Sequence, residues 1–187
     1  MSQHSDHHED HSLAGKVLSG TGVSVAKCYQ CGKCSAGCPM TDDMDYSPSA
    51  ILRLLQTGFE AHEEKVLRSQ TIWLCLTCET CIARCPMDVD LPPVMDFLRQ
   101  ESMRRNIANP KSKSIIKFHQ SFLKSIQETG RLYEIGLVIN YKLRTMKLFD
   151  DIMLAPAAFM KGKLSLLPEL IKGRKNMKQI FKKTINK

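Results

Sequence analysis

The sequence predicts an all-α fold wrapped around two cysteine-rich loops. Three observations carry that prediction. Apolar residues recur at three- and four-residue intervals in stretch after stretch of the 187-residue chain, the spacing that lines one face of a helix. No alternating apolar and polar run bounded by turn residues is found, so strands have no support. And a repeat interrupts the helical pattern: CYQCGKCSAGCP at 28–39 and CLTCETCIARCP at 75–86 together hold all eight cysteines.

In chain order, residues 1–20 are polar, with His4, His7, His8 and His11 clustered, and read as a disordered arm. After the first cysteine run, Ser47 suits a helix N-cap and Pro48 the first helical position. Ile51, Leu52, Leu54 and Leu55 form the apolar face, and Gly58 is the stop. A second helical piece, about 61–69, leads to Trp73 and the second run. Asp90 then caps a helix entered through Pro92 and Pro93, with Val94, Phe97, Leu98 and Met103 at helical spacing. Residues 113–128 carry Ile115, Ile116, Phe118, Phe122, Leu123 and Ile126 as an apolar face. Residues 131–148 do the same with Leu132, Ile135, Val138, Ile139 and Leu143. The last helix, roughly 168–184, sets Ile171, Met177, Ile180 and Phe181 against lysines. The reading divides the chain into an arm at 1–20, a cysteine-bearing domain at 21–106 and a helical extension with a basic tail at 107–187.

The net charge of +8 is uneven. From Lys161 onward there are nine Lys or Arg against Glu169, so residues 1–160 balance to zero. With 6% aromatic residues and no recognised binding motif, nucleic acid is not an expected partner. The tail reads either as a dock for an acidic partner or anionic membrane surface, or as a solvated helix face. No apolar run approaches the roughly 18 residues of a membrane span. The start MSQHSDHHEDHS has neither the basic nor the apolar part of a secretory signal, so the chain is expected in the cytoplasm, where disulfides are rare.

Each run has the spacing C-x2-C-x2-C-x3-C-P. Structural zinc sites draw their ligands as two separated pairs, which this spacing does not match. Disulfides are disfavoured by compartment and by tight spacing. The run does match the signature of bacterial two-cluster ferredoxins, in which the fourth cysteine of each run ligates the other cluster. That resemblance implies two 4Fe-4S clusters. Cys28, Cys31, Cys34 and Cys85 would hold the first, and Cys75, Cys78, Cys81 and Cys38 the second. Pro39 and Pro86 would turn the chain after the fourth ligand. Gly32, Ser35, Ala36, Gly37 and Ala83 are small enough to let backbone approach the sulfides, and Tyr29 and Trp73 are candidates to shield them from water. No thiol remains as a nucleophile. No Ser-His-Asp set, phosphate-binding glycine loop or flavin fingerprint appears, and His62 and His119 read as surface or packing residues. The chain therefore reads as a non-catalytic electron carrier.

The helical filling between the runs resembles the α-helical ferredoxin domain of succinate dehydrogenase iron–sulfur subunits. CYQCGKCSAGCPM, YSPSAILRLLQTG and TIWLCLTCETCIARCPMDVDLPPVMDFLR narrow the resemblance to the C subunit of heterodisulfide reductase, over about residues 20–106. FHQSFLKSIQETGRLYEIGLVINYKLRTMKLF and KGKLSLLP are similar to the longer C subunits of sulfur-metabolising bacteria and archaea. The resemblance implies an electron relay between two partners: an A subunit, which bears flavin, and a B subunit, which is disulfide-active. The other readings left open are an iron–sulfur subunit of a membrane-linked oxidoreductase of the succinate dehydrogenase or fumarate reductase type, and a free dicluster ferredoxin.

Overall fold

The computed structural model describes residues 12–146, 168 and 170–184. The histidines at 4, 7, 8 and 11 and most of KGKLSLLP lie outside the described residues, as do Lys161, Lys163 and Lys187 of the basic tail. Among the described residues there are helices and no strands. The chain forms two compact units, divided between Ser112 and Lys113.

The first unit begins with α1, Leu13–Thr21. The sequence reading placed these residues in a disordered arm, and the structure corrects that. Leu13 and Val17 are fully buried, and each buried side chain of this size contributes about 2 kcal/mol. Ser12 caps the helix by accepting from the Gly15 N–H at 3.1 Å. The Leu13 N–H donates to Glu63 Oε1 at 2.6 Å, across 50 residues of chain. Gly20 lies against the Phe97 ring, where a Cβ would stand 2.6 Å from it. Leu13, Ala14, Val17 and Leu18, alone in a polar stretch, were too weak a periodic signal to reveal a helix whose partners come from distant elements.

The helix α2, Lys33–Ala36, follows within the first cysteine run. The next, α3, spans Pro48–Gln56, capped by the Ser47 hydroxyl and buried through Ile51, Leu52 and Leu55. Gly58 takes φ 64° just after it. Then come α4, Glu60–Leu67, and α5, Thr71–Leu74. The latter is capped from a distance: Asp45 accepts from the Gln70 N–H at 2.8 Å and the Thr71 N–H at 2.9 Å. Burial pushes the Asp45 carboxyl up, but these N–H groups and the Thr71 hydroxyl outweigh it and hold it below the usual range. After α6, Thr80–Ala83, comes α7, Leu91–Arg104. Asp90 stands at its N-cap position but makes no capping bond. The reason is local: Pro92 and Pro93 occupy the positions whose N–H groups a cap would satisfy, and proline has none. Val94, Met95 and Leu98 are fully buried, while Met103 turns outward. The Asn109 amide donates to the Arg68 carbonyl at 2.8 Å, and Ser112 is buried. The unit thus runs past residue 106, where the sequence reading ended it.

The second unit contains α8, Lys113–Thr129, α9, Glu134–Thr145, and α10, Arg174–Thr184. The buried positions of α8 are Ser121, Ser125 and Thr129, not the isoleucines and phenylalanines expected to face inward. Small residues four apart let neighbouring backbone come close, and their hydroxyls find partners within the unit. Thr129 Oγ1 donates to the Ser125 carbonyl at 2.7 Å, and the Tyr133 N–H donates to Ser125 Oγ at 3.0 Å. Phe118 and Leu123 remain 42% exposed. In α10 Phe181 is buried and Ile180 is exposed.

The first unit yields two predictions. Replacing Glu63 by Ala removes the acceptor for the Leu13 N–H and should cost about 2 kcal/mol. Thermal unfolding under anaerobic conditions should show this, with cleavage by protease between residues 13 and 21, while Glu63→Gln keeps an acceptor and loses less. Glu101, nearly buried, accepts from Arg104 and Arg105 at 2.6–2.7 Å. The Arg104 hydrogen bonds, joined by Arg105, lower its pKa from 4.5 to about 2. Folding favours the carboxylate, so this stabilisation is full above the ordinary glutamate range and falls as pH drops from about 4.5 toward 2. A Glu101→Gln variant should lose that part of the acid slope in a pH series of thermal midpoints.

Candidate metal centre

The two cysteine runs fold alike. In the first, Gln30 and Gly32 have positive φ, at 65° and 75°; in the second, Thr77 and Glu79 do, at 51° and 63°. These residues flank the second cysteine of each run. The left-handed turn aims backbone N–H groups inward: that of Lys33 at the Cys31 sulfur, and those of Thr80 and Thr77 at Cys78 and Cys75. Successive N–H groups pointing into one hollow make an anion-binding nest. The short helices α2 and α6 then carry Cys34 and Cys81, and pack against each other.

Both runs end in the same turn. The Thr41 N–H donates to the Cys38 carbonyl at 3.3 Å, and the Asp88 N–H to the Cys85 carbonyl at 3.4 Å. Pro39 and Pro86 sit second in these turns, where their fixed φ is suited. Gly37 has its own partner: a Cβ there would stand 2.5 Å from Arg84 Nε, so the guanidinium lies directly on the bare backbone. Gly32 is different, since a Cβ would meet nothing within 4 Å. Its glycine serves the left-handed backbone, not close approach.

Cysteine thiols converge on two cavities. One, here the first cavity, is lined by Cys28, Cys31, Cys34 and Cys85, with Cys81 beside them. The second is lined by Cys75, Cys78, Cys81 and Cys38. The fourth cysteine of each run thus lines the other run's cavity. Cys81 and Leu91 line both, making a common wall. Among the described residues no three His, Cys, Asp or Glu side chains are arranged to hold a single metal ion. Thiol sets that ring an apolar hollow without closing on one point suit a multi-metal cube better than one zinc ion, and soft thiolate ligands suit iron–sulfur clusters.

The thiols differ in their surroundings. Burial pushes Cys34 and Cys75 up, and burial with the neighbouring Cys75 raises Cys81 to about 11. The exposed Cys31 and Cys78 are lowered, Cys31 by the Lys33 N–H and Cys78 by the Thr80 hydroxyl.

The loops are held from outside. Gln56 Nε2 donates to the carbonyls of Val25 at 2.9 Å and Cys28 at 2.6 Å. Ser35 Oγ accepts from the Ser49 N–H at 2.9 Å, at the start of α3. Arg99 on α7 donates to the carbonyls of Ile72 and Cys75 and pairs with Asp96 at 2.8 Å. Trp73 is buried in the core and does not line either cavity, and Tyr29 is 58% exposed. Neither acts as the water shield the sequence suggested. The neighbouring Cys31 sulfur pushes the Tyr29 hydroxyl pKa up. Aligning the two runs would have pointed to Tyr29 and Arg84, since they face Leu76 and Gly37 in the other copy. His62 bonds Thr57 Oγ1 at 2.8 Å and packs edge-on against Phe59.

The 4Fe-4S dicluster domain family matches residues 24–89. Such a domain holds two 4Fe-4S clusters. The chain is also similar to the C subunits of heterodisulfide reductases. It is 34% identical to an iron–sulfur C subunit of the CoB–CoM heterodisulfide reductase of Methanocaldococcus jannaschii, over 55% of this chain and 56% of that protein. The iron–sulfur C subunit of the Methanopyrus kandleri enzyme is 34% identical over 61% of this chain and 54% of its own. The C subunit of the H(2):CoB–CoM heterodisulfide,ferredoxin reductase of Methanothermobacter marburgensis is 28% identical over 58% and 57%. The chain spans a little over half the length of these relatives. No described helix is long and apolar enough to cross a membrane.

The left-handed positions give a paired prediction for the dicluster domain. Gly32→Ala has room for its methyl but not the backbone, and should cost about 1 kcal/mol. Glu79→Gly relieves similar strain yet frees the unfolded chain, so its gain should be only a few tenths of a kcal/mol. Anaerobic denaturation of both variants beside the parent protein measures the asymmetry.

Proposed function

We propose that this chain is the electron-transfer subunit of a heterodisulfide-reductase-like complex. Its clusters would be held by Cys28, Cys31, Cys34 and Cys85, and by Cys75, Cys78, Cys81 and Cys38. The shared wall of the two cavities carries the reading: Cys81 and Leu91 line both, so two redox centres would stand side by side. When bound, the clusters supply one-electron storage. The chain's own residues hold them, direct N–H groups at their ligands and keep the cavity walls apolar.

The partners in this reading are a flavoprotein, the A subunit, which bears flavin, and a disulfide-active protein, the B subunit. Similarity to subunits of such complexes supports it. So do the exposed apolar side chains of the second unit, Phe118, Leu123, Val138, Ile139 and Leu143, which a freely diffusing carrier does not need. The lysines of α10 add a basic surface suited to an acidic partner or an anionic membrane face.

Protein purified without oxygen should contain about eight irons, the content of two four-iron clusters. Cys38→Ser should bring iron to about four and spare the spectroscopic signal of the cluster in the first cavity; Cys85→Ser should do the reverse. If Cys38→Ser damages only the first cluster, the ligand sets are wrong. Copurification with a flavoprotein and a cysteine-rich protein is expected. A membrane cytochrome in their place would overturn the assignment to this complex.

A further inference from the structure

Both cysteine runs are gripped in the same way by different residues. Gln56 Nε2 donates to the carbonyls of Val25 at 2.9 Å and Cys28 at 2.6 Å. Arg99 donates to the carbonyls of Ile72 and Cys75. Each pair of carbonyls belongs to the first cysteine of a run and to the residue three before it. The two grips therefore fall at matching places, although Gln56 closes α3 and Arg99 belongs to α7. Arg99 also stands outside residues 24–89, the stretch the dicluster family matches.

Each grip is chemically complete. Among the described residues no backbone N–H donates to the carbonyl of Cys28 or Cys75. Both cysteines are half-buried, so the side chains supply donors these carbonyls need. All three guanidinium nitrogens of Arg99 are engaged: Nε on Ile72, Nη2 on Cys75 and Nη1 on Asp96 at 2.8 Å. A planar guanidinium serves several acceptors in set directions, which a lysine ammonium does not reproduce. Gln56 is as fully used. With Nε2 turned to two carbonyls, its Oε1 faces the other way and accepts from Gln30 Nε2 at 3.2 Å. That bond sets which end of the Gln30 amide looks at the ligand, and Gln30 Nε2 donates to Cys28 Sγ at 3.4 Å. Helix α3 thus reaches Cys28 twice, at its carbonyl and, through Gln30, at its sulfur.

We infer that Gln56 and Arg99 are positioning residues, one for each cluster: Gln56 holds Cys28 at the first cavity and Arg99 holds Cys75 at the second. This rests on the ligand sets proposed above. Cys34 and Cys81 are carried by the short helices α2 and α6, whereas Cys28 and Cys75 lie just past the end of a helical turn. A loop whose carbonyl swings loses the aim of its thiol, and the grips prevent that swing. Because they act at different cavities, their losses are felt separately.

The test is anaerobic purification of the full chain, with iron counted and each cluster followed by electron paramagnetic resonance during a redox titration. The Cys38→Ser and Cys85→Ser variants assign the two signals. Gln56→Leu should bring iron from about eight to about four and remove the first-cavity signal alone; Arg99→Leu should remove the second alone. Milder variants separate donor geometry from loss of bulk. Gln56→Glu keeps the shape but has no donor, and should fail as Gln56→Leu does. Arg99→Lys keeps a charged donor without the fork, and should recover part of the second signal. Gln30→Leu leaves the carbonyl grip intact. About eight irons should remain while the first midpoint falls, because a donor to ligand sulfur is lost. The inference is overturned if Gln56→Leu and Arg99→Leu each weaken both signals equally, as a purely structural role would, or if Gln56→Glu keeps the first signal. Gln30→Leu with both midpoints in place overturns the link through Gln30. If the parent chain holds markedly less than about eight irons, or the cysteine variants do not remove one signal each, the ligand sets fall and the inference with them.

Discussion

Arg84 lies flat on the backbone of Gly37, in the space a Cβ would need. The two residues occupy the same place in the two cysteine runs, each just before the fourth cysteine. Their contact lies where α2 and α6 pack together and the two segments pass one another. Cys85 then lines the cavity of the first run and Cys38 that of the second. A side chain at 37 would displace the guanidinium, which sits at the end of a flexible, exposed side chain. The rest of the first unit serves this crossing. Gln56 anchors the loop entering the first run, Arg99 the loop entering the second, and Asp45 fixes the start of the short helix before it.

The runs are alike in backbone and unlike in side chain. Shared left-handed turns give each cavity a similar set of inward N–H groups, which suits an anionic guest. Tyr29 against Leu76, and Lys33 against Thr80, are places where the side chains of the two runs differ.

The second unit reverses the usual relation between pattern and burial. Its α8 is amphipathic, yet Ser121, Ser125 and Thr129 are its buried positions. Hydroxyls that bond within the helix or to the next loop make a close contact tolerable there. They leave Phe118, Leu123 and much of the α9 surface for other contacts. Such a face is in keeping with a protein made to be covered.

Local chemistry made much of this legible. Ser47, Pro48 and Gly58 bracket α3 by rules that act within one turn, and the prolines after Cys38 and Cys85 make the turns their rings favour. The all-α class and the dicluster motif lay in periodicity and spacing alone. What the sequence could not disclose depends on distant partners. The helix Leu13–Thr21 exists because Glu63 caps it and α7 covers it. Asp90 fails as a cap because two prolines remove the donors. The serine stripe of α8 is buried because small residues permit an approach that apolar bulk does not. The sequence by itself determined which thiols are available and how each run bends. Only the tertiary structure decided which thiols share a cavity and which side chains face them, because those neighbours are set by packing between segments some fifty residues apart.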